Sequence, residues 1–306
     1  MTAAGEGGDA AAAARHRRAL WLLWVVPALW SSNYVIARLA DGVIAPHALA
    51  FGRWALALAI MLPFVWRELF TRGLPWHREW KHLLVLGATG MWICGAWVYL
   101  GGQGTSAANI ALIYAATPVA IAVVSARLLH ERMSRAQGVA VAFALAGVLF
   151  IVFRGDVAAL RALQLNPGDG WIVAAAVSWV AYSVLLRRWP SVLSPAARLA
   201  VIAGAGLLVL APFTLAEMLW TAVPPPSWRA AGLVALAALL PGVLSYTAYS
   251  VMQRELGAAK SALLLYLAPV YGGLAGWLVL GEQPGWHHAV GAALILPSIW
   301  LATRRG

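Results

Sequence analysis

The residues of this chain that could do chemistry are polar and aromatic side chains inside long apolar runs of sequence. Tyrosine hydroxyls and tryptophan N–H groups can orient a bound molecule while their rings contact its apolar part. In a membrane such side chains point toward another helix or a cavity, because an unpaired polar group facing lipid costs free energy. The candidate substrate-binding residues of this kind are Trp30, Asn33, Tyr34, Trp97, Tyr99, Ser178, Trp179, Tyr182, Ser245, Tyr246 and Tyr249.

The same residue types also have a purely structural explanation. Tryptophan and tyrosine form belts at membrane interfaces, and serine packs between helices. Many of the 17 tryptophans lie near the ends of apolar runs and fit such a belt. Trp30, Trp179, Tyr246 and Tyr249 fit such a belt poorly, so they favour an amphipathic, aromatic-lined cavity.

The elements that position these residues must be membrane helices. Of the 306 residues, 62% are hydrophobic and only 11% are charged, whereas soluble domains carry about 25% charged residues. This composition excludes a soluble enzyme, a disordered protein and a secreted disulfide scaffold, and the single cysteine excludes an intrachain disulfide. The net charge of +11 fits basic loops at a membrane surface, so we expect membrane lipids and no nucleic acid as partners.

The apolar runs predict an all-α polytopic membrane protein with ten transmembrane helices. The predicted spans are 20–39, 45–66, 82–100, 106–128, 136–153, 170–187, 198–219, 230–252, 260–280 and 287–302. Most of the 22 Lys and Arg residues fall in the N-terminal segment and in every second connection after it. By the positive-inside rule, both termini are expected in the cytoplasm. The Ala- and Arg-rich composition favours a bacterial inner (plasma) membrane.

An internal repeat divides the chain into two halves. The halves match at a shift of 149 to 151 residues. The matched pairs include Trp30 with Trp179, Pro46 with Pro195, Pro118 with Pro269 and Glu131 with Glu282. Five spans per half is an odd number, so the halves must be inverted relative to each other, as in many secondary transporters. We predict a disordered cytoplasmic tail at 1–19, a first repeat at 20–154 and a second at 155–306.

Two prolines interrupt the fourth and ninth spans. Proline removes a backbone donor and clashes with the carbonyl four residues earlier. Pro118 and Pro269 could therefore be hinges at the boundary between the repeats, or they could produce static kinks.

Arg53 is the charge that the sequence places well inside a span. It could attract a substrate carboxylate, since intramembrane charges often mark functional sites. It could instead extend to the outer surface and pair with Asp41, which the sequence alone slightly favours. No Asp or Glu is predicted deep in a span, so facilitated diffusion or exchange fits at least as well as proton-driven export.

Several motifs resemble one family of membrane carriers. They are Ala28-Leu29-Trp30-Ser31-Ser32-Asn33, Ala108-Asn109-Ile110-Ala111-Leu112-Ile113, Thr117-Pro118-Val119 and Leu129-His130-Glu131-Arg132, and in the second half Ala262-Leu263-Leu264, Ala268-Pro269-Val270 and Leu280-Gly281-Glu282. From about Leu20 to Arg304 the chain resembles the EamA family of the drug/metabolite transporter superfamily, and within it the YddG-type aromatic amino acid exporters. His130 departs from the family pattern, which usually has glycine before the glutamate.

The resemblance implies a secondary transporter that exports small metabolites, namely amino acids including aromatic ones, by alternating access around a midplane cavity. We expect no catalytic residue, cofactor or metal.

The alternative functions are a nucleotide-sugar or drug carrier of the same superfamily, and an intramembrane lipid-modifying enzyme. A nucleotide-sugar carrier would need clustered basic residues in its interior. The enzyme would need a His/Asp pair or metal ligands, yet all seven histidines lie in tails, loops or span ends.

Overall fold

The structure of the protein is a computed structural model. In the part of the chain that it describes, the regular secondary structure is helical and is joined by short turns and loops. The described residues are 3–71, 76–105, 107–131, 133–156, 158, 164–281 and 283–304. Within these ranges there is no β-strand. A backbone in a membrane satisfies its own hydrogen bonds most directly as a helix, which agrees with the composition.

Ten long helices follow one another along the described residues. In chain order they are α1 (Ala3–Ala40), α2 (Pro46–Thr71), α3 (Trp76–Gly87, Ala88–Ile93 and Cys94–Gly102), α4 (Ala107–Ala115 and Thr117–Leu128), α5 (Arg135–Val152), α6 (Pro167–Arg188), α7 (Pro195–Trp220), α8 (Trp228–Ala237, Ala238–Leu244 and Ser245–Leu256), α9 (Ala258–Ala262, Leu263–Leu267 and Ala268–Leu280) and α10 (Trp286–Arg304). In this part of the chain, every helix except α10 meets the length and hydropathy expected of a membrane span.

The predicted all-α fold of two five-helix repeats is confirmed, and most helix bounds agree with the predicted spans within a few residues. The largest difference is at the N-terminus. There α1 begins at Ala3 and so runs through most of the segment predicted to be a disordered tail.

Two carboxylates show how the halves are inverted. Glu217, near the end of α7, accepts hydrogen bonds from the backbone N–H groups of His47 and Ala48 at 3.1 and 3.0 Å, at the start of α2. Glu68, near the end of α2, accepts from the backbone N–H and hydroxyl of Ser194 at 2.6 and 2.7 Å, just before α7. The first N–H groups of a helix lack partners within it. A glutamate near the end of α2 therefore caps the start of α7, and one near the end of α7 caps the start of α2. It follows that α2 and α7 run antiparallel.

Glycines bring several helices into close contact. A Cβ added to Gly147 in α5 would lie 2.8 Å from the carbonyl oxygen of Gly291 in α10, and one added to Gly87 in α3 would lie 2.5 Å from the backbone nitrogen of Gly206 in α7. Small residues let membrane helices approach until their backbones touch, where dispersion and weak polar contacts replace the hydrophobic effect. These pairs set the spacing of α5 with α10 and of α3 with α7.

The main buried core spans both halves. It combines Leu23 of α1, Trp54 of α2, Met91 of α3, Ile202 of α7 and Met252 of α8 in one apolar cluster. The halves are therefore packed into a single body, and their boundary lies inside this core.

Gly147→Ala is expected to lower the melting temperature in detergent by about 3–10 °C, because the new methyl group overpacks the contact between α5 and α10. Gly138→Ala, on the same helix, is the matched control, since its Cβ would meet no atom within 4 Å. That variant should be neutral or slightly stabilising. Equal melting temperatures for the two variants in a fluorescence-monitored melt would contradict the packing described here.

Candidate functional site

A group of aromatic rings lies buried where α1, α2, α6 and α8 meet. We call it the aromatic cluster, and its members are Trp30, Trp54, Trp179, Tyr182, Tyr246 and Tyr249. Tyr246 is central: its ring centroid lies 4.9 Å from that of Trp54, 5.8 Å from that of Trp30 and 5.9 Å from that of Tyr182. The cluster contains the four residues whose sequence positions fit a membrane-interface belt poorly, namely Trp30, Trp179, Tyr246 and Tyr249.

The aromatic cluster joins the two halves of the chain. Trp30 and Trp179 occupy matching positions of the repeat, and their rings meet edge to face at 5.1 Å between centroids. Such aromatic pairs add about 0.5–1.5 kcal/mol beyond the area they bury. Tyr182 and Tyr249 are almost fully buried and Trp30 is half-buried. In this conformation the rings occupy the space between the helices, so a ligand could enter only if they moved.

Several polar atoms of the aromatic cluster have no hydrogen-bond partner among the described residues. They are the indole nitrogens of Trp54 and Trp179 and the hydroxyl of Tyr182. Leaving a buried donor unpaired costs about 1–3 kcal/mol. The cluster therefore offers unused donors next to apolar ring surface, which is the chemistry of an amphipathic binding site.

Two π-helical segments border the aromatic cluster, Ala88–Ile93 in α3 and Ala238–Leu244 in α8. The Tyr246 hydroxyl donates to the carbonyl of Gly90 at 3.2 Å, and the Ser178 hydroxyl donates to that of Thr89 at 2.9 Å. Side chains of α6 and α8 therefore reach carbonyls of the segment in α3, and π-helical segments are frequent at functional sites. They occupy equivalent places in the two repeats.

Glycine is required at the first of these segments. A Cβ on Gly90 would lie 2.5 Å from the ring of Tyr182. The ring can therefore pack directly on the backbone of α3 only because residue 90 has no side chain.

A second polar group extends from the aromatic cluster along α8. The Tyr249 hydroxyl donates to the Ser183 hydroxyl at 3.0 Å, and the Gln253 amide donates to the Tyr249 hydroxyl at 2.9 Å and to the Ser183 carbonyl at 3.0 Å. Sequence reasoning missed Gln253. The spacing of four between Tyr249 and Gln253, which places both on one helix face, was a signal that could have found the glutamine.

Arg53 lies beside the aromatic cluster, and its orientation corrects the sequence-based interpretation. Its side chain is only 4% exposed, so it does not extend to the outer surface. The guanidinium lies over the rings of Trp54 and Tyr246, 4.7 and 5.8 Å from their centroids. Its Nη2 donates to the carbonyl of Pro241 in the π-helical segment of α8 at 3.2 Å.

Other predicted site residues lie outside the aromatic cluster. The Tyr99 hydroxyl donates to the side-chain oxygen of Asn33 at 2.7 Å, which pairs α3 with α1. Trp97 contacts Trp92 and Trp171 in a separate aromatic group. The Ser245 hydroxyl donates to the carbonyl of Leu240 on its own helix, and the side chain of Tyr34 lies outside the described part of the structure.

Both prolines predicted as hinges follow interruptions of their helices. Pro118 comes after a turn at Ala116 that separates the two segments of α4. Pro269 comes after the 3₁₀ segment Leu263–Leu267 of α9. Both α4 and α9 are therefore irregular next to these prolines, and a hinge role for either proline stays a prediction.

Polar contacts also link the halves at both ends of the bundle. At the end that holds the last residues of α4 and α6, Glu131 accepts from the backbone N–H groups of Ala258 and Ala259 at 3.2 and 3.0 Å and lies 3.5 Å from Arg187. At the other end, buried Asp169 at the start of α6 accepts from the side-chain amide of Asn109 at 2.9 Å. Contacts between different repeats therefore occur at both ends of the bundle.

Metal ligands are not grouped in this site. Among the residues whose placement is described, no three His, Cys, Asp or Glu side chains lie together in a way that could hold a metal ion.

Comparison with known families gives a match over nearly the whole chain. The model of the EamA-like transporter family matches twice, at residues 17–153 and 166–304. The chain belongs to the EamA-like transporter family. Each match covers one of the two repeats, so the family unit corresponds to one half of this transporter.

Relatives of this EamA-like transporter are membrane transporters by name. It is 28% identical to the uncharacterized transporter YyaM of Bacillus subtilis, over 89% of both chains. It is 26% identical to a probable terminal-alkyne amino-acid exporter of Streptantibioticus cattleyicolor, over 94% of both chains. It is 24% identical to an S-adenosylmethionine/S-adenosylhomocysteine transporter of Chlamydia trachomatis, over 89% of this chain and 86% of the relative.

A solved crystal structure shares the fold. It superposes with a TM-score of 0.72 over 93% of this chain and 96% of that chain, at 23% identity. The family match and the names of the relatives show that the EamA-like transporter is a multi-pass membrane protein that carries small molecules, and that it is a transporter rather than an enzyme.

Tyr246→Phe is expected to destabilise this EamA-like transporter by about 1–3 kcal/mol, because it leaves the buried Gly90 carbonyl without its donor. Tyr266→Phe is the matched control, since the Tyr266 hydroxyl is buried and has no partner among the described residues. Its removal should be neutral or stabilising. Melting temperatures in detergent measure both effects, and a loss of stability as large for Tyr266→Phe as for Tyr246→Phe would refute the role of the hydrogen bond.

Proposed function

We propose that this protein exports amino acids, including aromatic ones, and binds them at the aromatic cluster between the two repeats. The observation that carries the proposal is the set of unpartnered donors of Trp54, Trp179 and Tyr182 beside stacked ring surface at that boundary. An amino acid presents a polar end and a side chain of variable size, and the cluster offers a partner for each.

The names of two relatives support an amino-acid substrate. One is called a probable terminal-alkyne amino-acid exporter and the other an S-adenosylmethionine/S-adenosylhomocysteine transporter. These molecules share an α-amino-acid group and differ in what is attached to it. A site that recognises this group and tolerates different attachments is consistent with both names.

The proposed mechanism is alternating access. The two repeats rock about the aromatic cluster, and the contacts of Glu131 and of Asp169 close opposite ends of the path in turn. The substrate takes the place of ring contacts such as that between Trp30 and Trp179 when one end opens. Pro118 and Pro269 lie where α4 and α9 are already interrupted, which favours bending there.

The proposed location is a bacterial inner membrane with both termini in the cytoplasm, as the Lys and Arg distribution indicates. Green fluorescent protein fused to either terminus should fluoresce, and alkaline phosphatase at the same points should be inactive. Alkaline phosphatase fused after Gly155, between the repeats, should be active. Phosphatase activity at either terminus would reverse the proposed orientation and with it the direction of export.

Transport itself is tested by flux into proteoliposomes that contain the purified protein. We expect saturable uptake of labelled aromatic amino acids without a pH gradient, and Trp30→Ala should reduce it at least tenfold by removing ring contacts from the site. Trp228→Ala is the matched control, because Trp228 is 94% exposed at the start of α8, and its flux should equal the wild-type value.

The same assay includes outcomes that contradict the proposal. No flux of any amino acid, with or without a pH gradient, would exclude this substrate class. Equal losses of flux in Trp30→Ala and Trp228→Ala would remove the aromatic cluster from the transport path while leaving the transported molecule an amino acid.

A further inference from the structure

We infer that Arg53 is the binding point for an anionic group of the transported molecule, namely its carboxylate. The inference rests on the proposed function for the identity of the molecule that bears the carboxylate. It adds to the proposed site a charged residue that neither the family match nor any relative's name assigns.

Arg53 is a buried charge without a counter-ion. It is 4% exposed, and within the described residues no carboxylate lies within 4 Å of its guanidinium. A buried charge is strongly unfavourable unless it is paired, and an intramembrane charge that faces the protein interior marks a functional position. An anion brought in from outside would neutralise Arg53.

The donors of Arg53 are only partly used. Nη2 donates to the Pro241 carbonyl, whereas Nε is buried and has no acceptor among the described residues. The rings of Trp54 and Tyr246 face the cation, and such contacts contribute about 0.5–2 kcal/mol. They hold the guanidinium in place without satisfying its N–H groups. A guanidinium with a free edge can bind a carboxylate through two parallel hydrogen bonds.

Two other arginines, Arg198 and Arg187, have structural roles that their contacts explain. Arg198 lies at the start of α7 and donates to the carbonyls of Leu186 and Trp189, which satisfies the end of α6. Arg187 donates to the Arg254 carbonyl and pairs with Glu131. Arg53 has neither a helix end nor an acidic partner among the described residues, so its position is not explained by such a role.

Arg53 also reaches across the boundary between the repeats. It belongs to α2 of the first half, and both Pro241 and Tyr246 belong to α8 of the second half. Movement of the halves would separate the guanidinium from Pro241 and release its second donor edge. A carboxylate bound there would lie beside Tyr246, so the rest of an amino acid would extend over the aromatic cluster.

The test compares ligands that differ only in the charged group. L-phenylalanine, L-phenylalaninamide and 3-phenylpropionate are titrated against the purified protein by calorimetry in detergent. Wild-type protein should bind phenylalanine and 3-phenylpropionate about 10- to 100-fold more tightly than the amide, the range expected for a charge-assisted hydrogen bond. Arg53→Met should reduce that ratio to within about threefold. Arg53→Lys should keep part of it, because it retains the charge without the planar fork.

Arg229→Met is the matched control, since it removes the same charge from an exposed position at the start of α8. It should leave the ligand ratio unchanged. The melting temperature of ligand-free Arg53→Met should equal or exceed the wild-type value, because the substitution removes an unpaired buried charge. If Arg53→Met does not fold, Arg53→Lys decides the test. The inference is then overturned in favour of a structural role for Arg53 unless Arg53→Lys shows a reduced preference for the acids over the amide.

The outcomes separate this inference from the proposed function. Amino-acid flux together with an unchanged ligand ratio in Arg53→Met would overturn the inference and leave the function standing. Tight, Arg53-dependent binding of 3-phenylpropionate without amino-acid flux would support the carboxylate site and reject the amino-acid substrate. Failure of the wild-type protein to prefer either acid over the amide would overturn the inference.

Discussion

The absence of water from the membrane interior is the constraint on which this structure depends. Every backbone N–H and C=O group must find a partner within the protein, and the ten-helix fold follows from it. The same constraint explains the details. Glu68 and Glu217 satisfy helix starts from another repeat, and two carbonyls of the π-helical segment of α3 accept from Ser178 and Tyr246. Irregular backbone occurs where side chains from the other half can complete it.

Because the two repeats are inverted copies, the glutamate caps and the π-helical segments each occur twice. The Glu68 cap on α7 has its mate in the Glu217 cap on α2, and π-helical segments interrupt α3 and α8 at equivalent places. Trp30 and Trp179, equivalent in sequence, meet ring to ring at the boundary. Pseudo-twofold symmetry therefore brings matched residues together at the centre and places matched contacts at opposite ends. This arrangement suits a carrier whose two ends must open alternately.

Arg53 and the unpartnered donors of the aromatic cluster break this symmetry. Position 53 has no charged mate in the second half, because a shift of 149 residues leads to Ile202 in α7. The asymmetry places a charged residue in one wall of the boundary, next to Tyr246, and an apolar residue at the matching position of the other wall. A site that must orient a molecule needs such a difference between its walls, since two identical walls would bind it in two orientations. In this structure the Arg53 guanidinium contacts the rings of Trp54 and Tyr246 and the Pro241 carbonyl.

The sequence by itself determined the membrane class, the spans, the inverted repeat and the family resemblance, because each depends on composition or periodicity along the chain. It also identified five of the six members of the aromatic cluster. The tertiary structure decided which mid-span residues meet. It paired Asn33 with Tyr99 away from the cluster, added Trp54 and turned Arg53 inward. The physical reason is that the rotation of each helix about its axis is set by contacts with its neighbours, such as the close approach at Gly90, and those contacts join residues far apart in sequence.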